Sequence, residues 1–446
     1  MPGALFSIGR SGLTASRASL ELTAQNIANA SNADYSRREL TQSELVMTGA
    51  IGINAADSLG GIRPSAVVRA ESALVQRQAR DASSALASVD AQYLALREAE
   101  SALENSGLFT GLVEFEAALT RLEANPLDPA LRLSAVESAR AMAGNFRTAD
   151  STLANARSLV QDEAAAEIVQ VNELAEELAR VNRELVGVRE GTSGRAALLD
   201  RRDAALRGLA EQFGLSTTIN ANGTADVTID AAPPVALVSG GVAASVSVAV
   251  AADGTLTFDL GGTAFAPAGG AMAGRAAALV EMAGLQTGID SLAASVIALA
   301  NGAQAAGVDT SGNPGQPLFS GTGAGDIDVA LASANGLATA PAGAPAGSRD
   351  TANLAALLAT LGADTGPAAG ADALLLGLSS RVSALDTRRE GLAVVAATAE
   401  AELLRETGVD LDTEAANLVR LQQAFEANSR VIQVAAELFD TLLGLR

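Results

Sequence analysis

Two seven-residue rhythms stand at opposite ends of this chain. Near the start, Phe6, Leu13, Leu20 and Ile27 form one row, and the positions three further on, Gly9, Ser16, Thr23 and Ala30, are all small. The pattern predicts a helix over residues 4–30 with a stripe that lets another helix approach closely. Near the end, Leu411, Leu418, Phe425, Ile432 and Phe439 form a second row. Leu421, Ala435 and Leu442 stand three residues after members of it, and Asn428 takes the one polar slot. A single such stripe usually packs on its own domain. Stripes at both termini, outside the long central helices, point to pairing of the ends with each other and with neighbouring molecules.

Between the ends the pattern is mostly helical. Val75, Ala79, Ala82, Leu86, Val89, Tyr93, Leu96 and Leu103 mark a helix over 69–105. The turn Asn125-Pro126-Leu127-Asp128-Pro129 precedes a helical stretch over 130–188, which unbroken would reach ~90 Å and so implies a rod. Gly191 and Gly194 interrupt it before a further helix over 196–213. Residues 215–266 alternate Thr, Val and Ile between turn signals such as Asn222-Gly223 and Asp253-Gly254, predicting roughly four to six short strands. Helix returns over 275–306, residues 307–370 read as Gly-, Ala- and Pro-rich loops, and helix resumes over 371–406.

The predicted fold is mainly α: a long antiparallel helical bundle, rod-like, with a small β-subdomain and paired N- and C-terminal coiled-coil helices. The expected division is 1–60 with 407–446 as a terminal-helix polymerisation domain, and 61–214 with 271–310 and 371–406 as the rod. Residues 215–270 form the β-subdomain, and 311–370 a Gly-, Ala- and Pro-rich loop region.

Composition narrows the function. Aromatics are 3% of the chain and Trp is absent, so Ala and Leu do the packing, which favours close helices. A formal charge of −21 argues against nucleic acid and anionic membranes as partners. With no Cys and no His there is no thiol, disulfide or imidazole chemistry. No acidic loop has calcium-site spacing, so no metal or other cofactor is expected and no catalytic residue is assigned. The paired carboxylates Asp200 and Asp203 lie on a charged helix face beside Arg201 and Arg202 and read as surface charges or structural ion-pair groups. The uncharged stretch 231–252 contains Pro233-Pro234 and then alternates, so it reads as strand rather than membrane span.

Short motifs then carry a resemblance. Ala24-Gln25-Asn26-Ile27-Ala28-Asn29, followed by Asn32, resembles the signature that closes the first helix of bacterial flagellar axial proteins, where Asn side chains bond free carbonyls at the turn. Tyr35-Ser36-Arg37 is similar to the Tyr-Thr-Arg of the hook-associated type. Asn26, Asn29, Tyr35 and Arg37 are therefore taken as family signature residues. The run from Asp410 through Leu443 resembles that family's C-terminus. Interior matches are Asn125 to Pro129, Leu198-Leu199-Asp200-Arg201-Arg202-Asp203, and Asn301 with Gly307-Val308-Asp309, Gly312, Gly315 and Phe319. The chain departs from the family where Asp34 precedes Tyr35, where Gln304-Ala305-Ala306 lacks a His, and where loop-like residues follow Phe319 in place of the large β-domain many members carry, so that the resemblance implies a reduced outer domain over 311–370.

The resemblance implies a structural subunit of the extracellular flagellum, exported through the type III apparatus and forming a ring of identical copies between hook and filament. Its implied partners are itself, the hook protein, the next junction protein toward the filament, and a cytoplasmic export chaperone on the C-terminal helix. A hook or distal-rod subunit is the nearest alternative, and a secreted coiled-coil effector or translocator the alternative of another class. The expected assembly interface is Phe6, Leu13, Leu20, Ile27, Leu411, Leu418, Leu421, Phe425, Asn428, Ile432, Phe439 and Leu442. In a lone molecule these stripes are expected to lack a core and stay mobile until neighbours bury them.

Overall fold

The computed structural model describes residues 2–44 and 60–444. Among them α1 (Pro2–Ala28) leads through an antiparallel hairpin, β1 (Arg38–Glu44) and β2 (Ile62–Arg69), into the body. The body helices are α2 (Ala73–Asn105), α3 (Leu108–Ala124), α4 (Pro129–Gly187), α5 (Ser193–Gln212), α6 (Gly270–Ala306), α7 (Ala352–Leu361) and α8 (Pro367–Thr407). The last helix, α9 (Leu411–Gly444), returns beside α1.

The 59-residue α4 is the spine. It starts where it does because the Asp128 side chain accepts from Ala130 N and Leu131 N at 2.8 and 3.2 Å and Pro129 supplies a helical φ at no hydrogen-bond cost. Its buried row runs nearly its full length, and two cores share it. One half, Val136 through Val160, packs with α2, α3, α6, α7 and α8. The other, Ala164 through Ala179, packs with α5 and the β-subdomain. Helix α6 is long and apolar enough to cross a membrane by length and composition, yet its buried row, Met272, Leu279, Ile289 and Val296, lies in these cores.

The β-subdomain holds eight strands, more than the alternation predicts: β3 (Leu215–Ile219), β4 (Ala225–Ile229), β5 (Ala231–Ala232), β6 (Val235–Ser239), β7 (Val242–Ala243), β8 (Val246–Val250), β9 (Leu256–Leu260) and β10 (Thr263–Pro267). They make two four-stranded sheets, ordered β3-β4-β6-β7 and β5-β10-β9-β8. Phe213 from the end of α5, Phe258 and Phe265 cluster between sheet and helix with ring centroids 5.8–6.1 Å apart. The two-residue strands β5 and β7 are too short for periodicity to register.

Residues 307–370 differ from the expected loops. Leu318, Phe319, Ile327, Leu331, Leu337, Leu354 and Leu357 are buried in the larger core, and the Phe319 ring meets Phe115 edge-on at 5.9 Å. Asn301 clasps Phe319 from both sides, donating to its carbonyl at 2.8 Å and accepting from its N–H at 2.9 Å. Arg132, fully buried, reaches the carbonyls of Pro126, Ala334, Asn335 and Leu337. One guanidinium thus replaces the missing ladder of a segment with little regular structure. Helix α3, which the sequence pattern leaves unassigned, carries a buried row of Leu108, Leu112, Phe115, Leu119 and Leu122.

Candidate assembly interface and joint

The terminal helices pair inside the single chain. Small residues make this possible: Gly9, Gly12, Ala15, Ser16 and Thr23 of α1 are buried, with Leu22 and Asn26, and Gly9, Gly12, Ser16 and Asn26 meet α9 directly. A Cβ on Gly9 would stand 2.8 Å from Ile432 Cγ1, and one on Gly12 2.4 Å from Asn428 Oδ1. The expectation that only neighbouring molecules shelter the stripes is therefore corrected. The small row is covered within the chain, and the large residues lie on the flank and outer face. Leu13, Leu20, Ile27, Leu418, Leu421, Phe425, Asn428 and Ile432 are half-buried, while Phe6, Leu411 and Phe439 are 47%, 55% and 55% exposed. The Leu442 side chain lies outside the described residues. Leu5, Ile8, Val431, Val434 and Leu438 are also exposed, so the far end of the pair carries a contiguous run of uncovered apolar residues on both helices. The seven-residue rows missed these, since they occupy positions between the rows.

The near end of the pair is polar and closed. Asn26, 1% exposed, uses both ends of its amide: Nδ2 donates to the Arg38 carbonyl at 2.9 Å and to Glu414 Oε1 at 3.1 Å, while Oδ1 accepts from Tyr35 OH at 2.7 Å and Arg38 N at 3.1 Å. One side chain thereby joins α1, β1 and α9. Asn29 does what a helix-closing Asn should, donating to the Gln25 carbonyl at 2.8 Å. The Tyr35 ring lies under the Arg38 guanidinium at 4.7 Å, and burial raises the Tyr35 phenol above its ordinary pKa. Arg37 acts through its backbone, its N–H donating to the Thr407 carbonyl at 2.8 Å and its carbonyl accepting from Ala70 N at 2.8 Å. That places the last turn of α8 and the start of α2 against the same short segment.

Below this node sits an ionic joint that the sequence misplaces. Asp200 and Asp203 lie not on a solvated face but buried on α5. Arg38 meets Asp200 Oδ2 at 2.6 Å, Arg69 spans Asp200 Oδ1 and Asp203 Oδ2 at 2.6 Å each, and Arg202 meets Asp203 Oδ1 at 2.7 Å. Gln76 of α2 adds a bond to Asp203 at 2.9 Å. Burial by itself raises the Asp203 carboxyl, but Arg202 and Arg69 outweigh it and hold the group below its ordinary value. Burial likewise lowers Arg69, and Asp203 with Asp200 outweigh it, so its pKa is raised. Of the motif's charges only Arg201 points outward, to Glu177 and Glu184. The hairpin β1–β2 is thereby bolted to α5 through two arginines, and a third tie, from Val67 N to the Gly191 carbonyl, is 2.8 Å. Among the described residues no cluster of three or more acidic groups could hold a metal.

Comparison with known proteins fits this geometry. The sequence model of the helical domain of flagellar hook-associated protein FlgK matches residues 96–319, half of the chain, and that of the flagellar basal body rod FlgEFG protein C-terminal matches 402–445. Flagellar hook-associated protein 1 of Escherichia coli strain K12 is 27% identical over 231 residues, 50% of this chain and 41% of that protein. Its counterpart in Bacillus subtilis strain 168 is 25% identical over 221 residues, 48% of this chain and 44% of that protein. The matched region thus spans less than half the length of these relatives. The solved structure of the flagellar hook junction protein FlgK from Burkholderia pseudomallei superimposes with a TM-score of 0.64 over 73% of this chain and 99% of that one, at 14% identity, a likeness of fold. The helical body, matched over its central half, and the rod-type C-terminal segment that pairs with α1 place this chain in the FlgK family of flagellar hook-associated proteins.

Proposed function

We propose that this chain is a structural subunit of the bacterial flagellum, outside the cell, forming the junction ring between hook and filament and carrying no catalytic role. The observation that carries this reading is the outer face of the terminal pair: Leu5, Phe6 and Ile8 on α1 with Val431, Val434, Leu438 and Phe439 on α9, each 37–55% exposed. Burying a Leu or Phe contributes roughly 1.5–3 kcal/mol, so a face of this size favours association strongly once a matching face is present. The pair would pack as inner helices against copies of itself, against hook protein on one side and the next junction protein on the other. An export chaperone would cover α9 before assembly. In this reading residues 1–60 with 407–446 polymerise and the helical body forms the middle layer. The β-subdomain 215–270 projects outward, while 311–370, expected as a reduced outer domain, packs into the helical body.

Gene deletion followed by electron microscopy tests it. The expected result is hooks without filaments and flagellin shed into the medium. Cells lacking hooks would instead assign the chain to the hook or distal rod, and normal filaments would overturn the reading altogether.

A further inference from the structure

The polar slots in α9 are not accounted for by a purely apolar stripe. Glu414, Leu421, Asn428 and Ala435 form one heptad row along α9. Glu414, 3% exposed, accepts from Asn26, and Asn428 rests on Gly12 with its Nδ2 bonded to the Ala424 carbonyl at 2.9 Å and 3.5 Å from Ser16 Oγ. Two heptads separate Glu414 from Asn428, and two heptads separate Asn26 from Gly12, so the helices run antiparallel in one fixed register. Gly9 meets Ile432 in the same register, which one and two heptads along sets Phe425 across from Ser16 and Leu418 across from Thr23, both α1 residues being buried.

We infer that Glu414 and Asn428 are specificity-determining residues that make α9 choose α1 over another α9. Against α1, each polar group meets something suited to it: the Asn26 amide donates to Glu414, and the missing side chain of Gly12 makes room for Asn428. Against a second α9 the same row fits badly. In a parallel pair Glu414 faces Glu414. In an antiparallel pair whose row is centred on itself, Glu414 faces Ala435 and Asn428 faces Leu421. Either arrangement leaves a carboxylate without a donor at a helix contact, a penalty that apolar neighbours cannot offset. The apolar positions of α9 supply affinity for any greasy helix, and these two positions remove the wrong partner. The inference concerns pairing that is already present in one chain, so it stands or falls independently of the junction reading.

The chain contains no Cys, so introduced cysteines report alone. Purified full-length Ser16→Cys/Phe425→Cys should close a disulfide within the chain, and Phe425→Cys by itself should yield little covalent dimer. In a Glu414→Leu/Asn428→Leu background, Phe425→Cys should convert largely to disulfide-linked dimers, with the helix content by circular dichroism unchanged. Glu414→Gln, whose amide oxygen still accepts from Asn26, should keep the parental behaviour. Equal dimer yield in the parental and double-leucine backgrounds would overturn the inference, as would Glu414→Gln behaving like Glu414→Leu.

Discussion

Arg69 holds Asp200 at 2.6 Å with one nitrogen and Asp203 at 2.6 Å with another, so a single guanidinium on the strand that leads into the body grips two carboxylates one helical turn apart on α5. Because Arg38 of the partner strand holds the other oxygen of Asp200, the hairpin and α5 are cross-braced. Helix α1 leads into this braced hairpin, and the bond from the Arg37 N–H to the Thr407 carbonyl ties the end of α8, just before α9, to the residue preceding the hairpin.

Substituting Asp200→Ala leaves Arg38 and Arg69 buried with one partner fewer each. Breaking a buried pair in this way costs about 3–5 kcal/mol. The expected outcome is a lowered melting temperature and new protease cleavage within β1 (Arg38–Glu44) or β2 (Ile62–Arg69), with the β-subdomain still folded. An unchanged melting temperature and cleavage pattern would show that the brace bears no load.

Acid should loosen the same joint. The folded Asp203 carboxyl sits below its unfolded value near 3.8, so its contribution to stability is fully present above that value and is lost as pH falls through the lower, folded one. Glu167 and Glu211, raised chiefly by burial, act in the opposite sense: they stabilise the fold below their unfolded values and lose that contribution as pH rises. Chemical denaturation as a function of pH should show stability falling below about pH 4, and Asp203→Asn should flatten that fall. A parental and an Asp203→Asn curve of the same shape would remove Asp203 from the joint.

The outer face of the terminal pair should matter to assembly and not to folding. Phe439→Asp and Phe6→Asp place a charge where the chain itself covers little, so melting temperature should stay within about 0.5 kcal/mol equivalent of the parent. Filament attachment should be lost. Phe425→Asp and Ile432→Asp should also abolish attachment while the body stays folded, but with loss of α1–α9 pairing as well. Normal swimming by the Phe439→Asp strain is the result that defeats the interface.

Arg132 should prove indispensable to the irregular segment. Arg132→Met keeps bulk but leaves the carbonyls of Pro126, Ala334, Asn335 and Leu337 buried without a donor, at about 1–3 kcal/mol for each that finds no water. Hydrogen exchange should accelerate over residues 307–350 ahead of the rest of the body. Uniform protection in the variant would mean that apolar packing alone holds the segment.

The long helices were legible because their evidence is local, whereas the shorter α3 and α7 were not assigned. The row on α4 repeats for fifteen turns or so, and Asp128 with Pro129 marks its start in the sequence itself. The paired ends were legible for the same reason, as was the small stripe of Gly9, Ser16 and Thr23 that the close approach demands. The strands β5 and β7, two residues each, and the burial of Leu318, Phe319 and Leu337 were not, because short irregular segments carry no period and owe their positions to distant partners such as Asn301 and Arg132.

What the sequence by itself determined is the set of long ribbons: the terminal helices, the helices at 69–105, 130–188, 196–213, 275–306 and 371–406, and that the two ends match, while α3 and α7 escaped it. What only the tertiary structure decided is who meets whom. Asp200 and Asp203 read as surface or ion-pair groups beside Arg201 and Arg202 until the hairpin brings Arg38 and Arg69 onto them, and Asn26 reads as a helix-closing Asn until Glu414 arrives from the far end of the chain. Heptads state that a side chain wants cover, because amphipathicity is a property of neighbours three and four apart. Burial of a charge depends on groups far away in sequence, and no local pattern encodes their arrival.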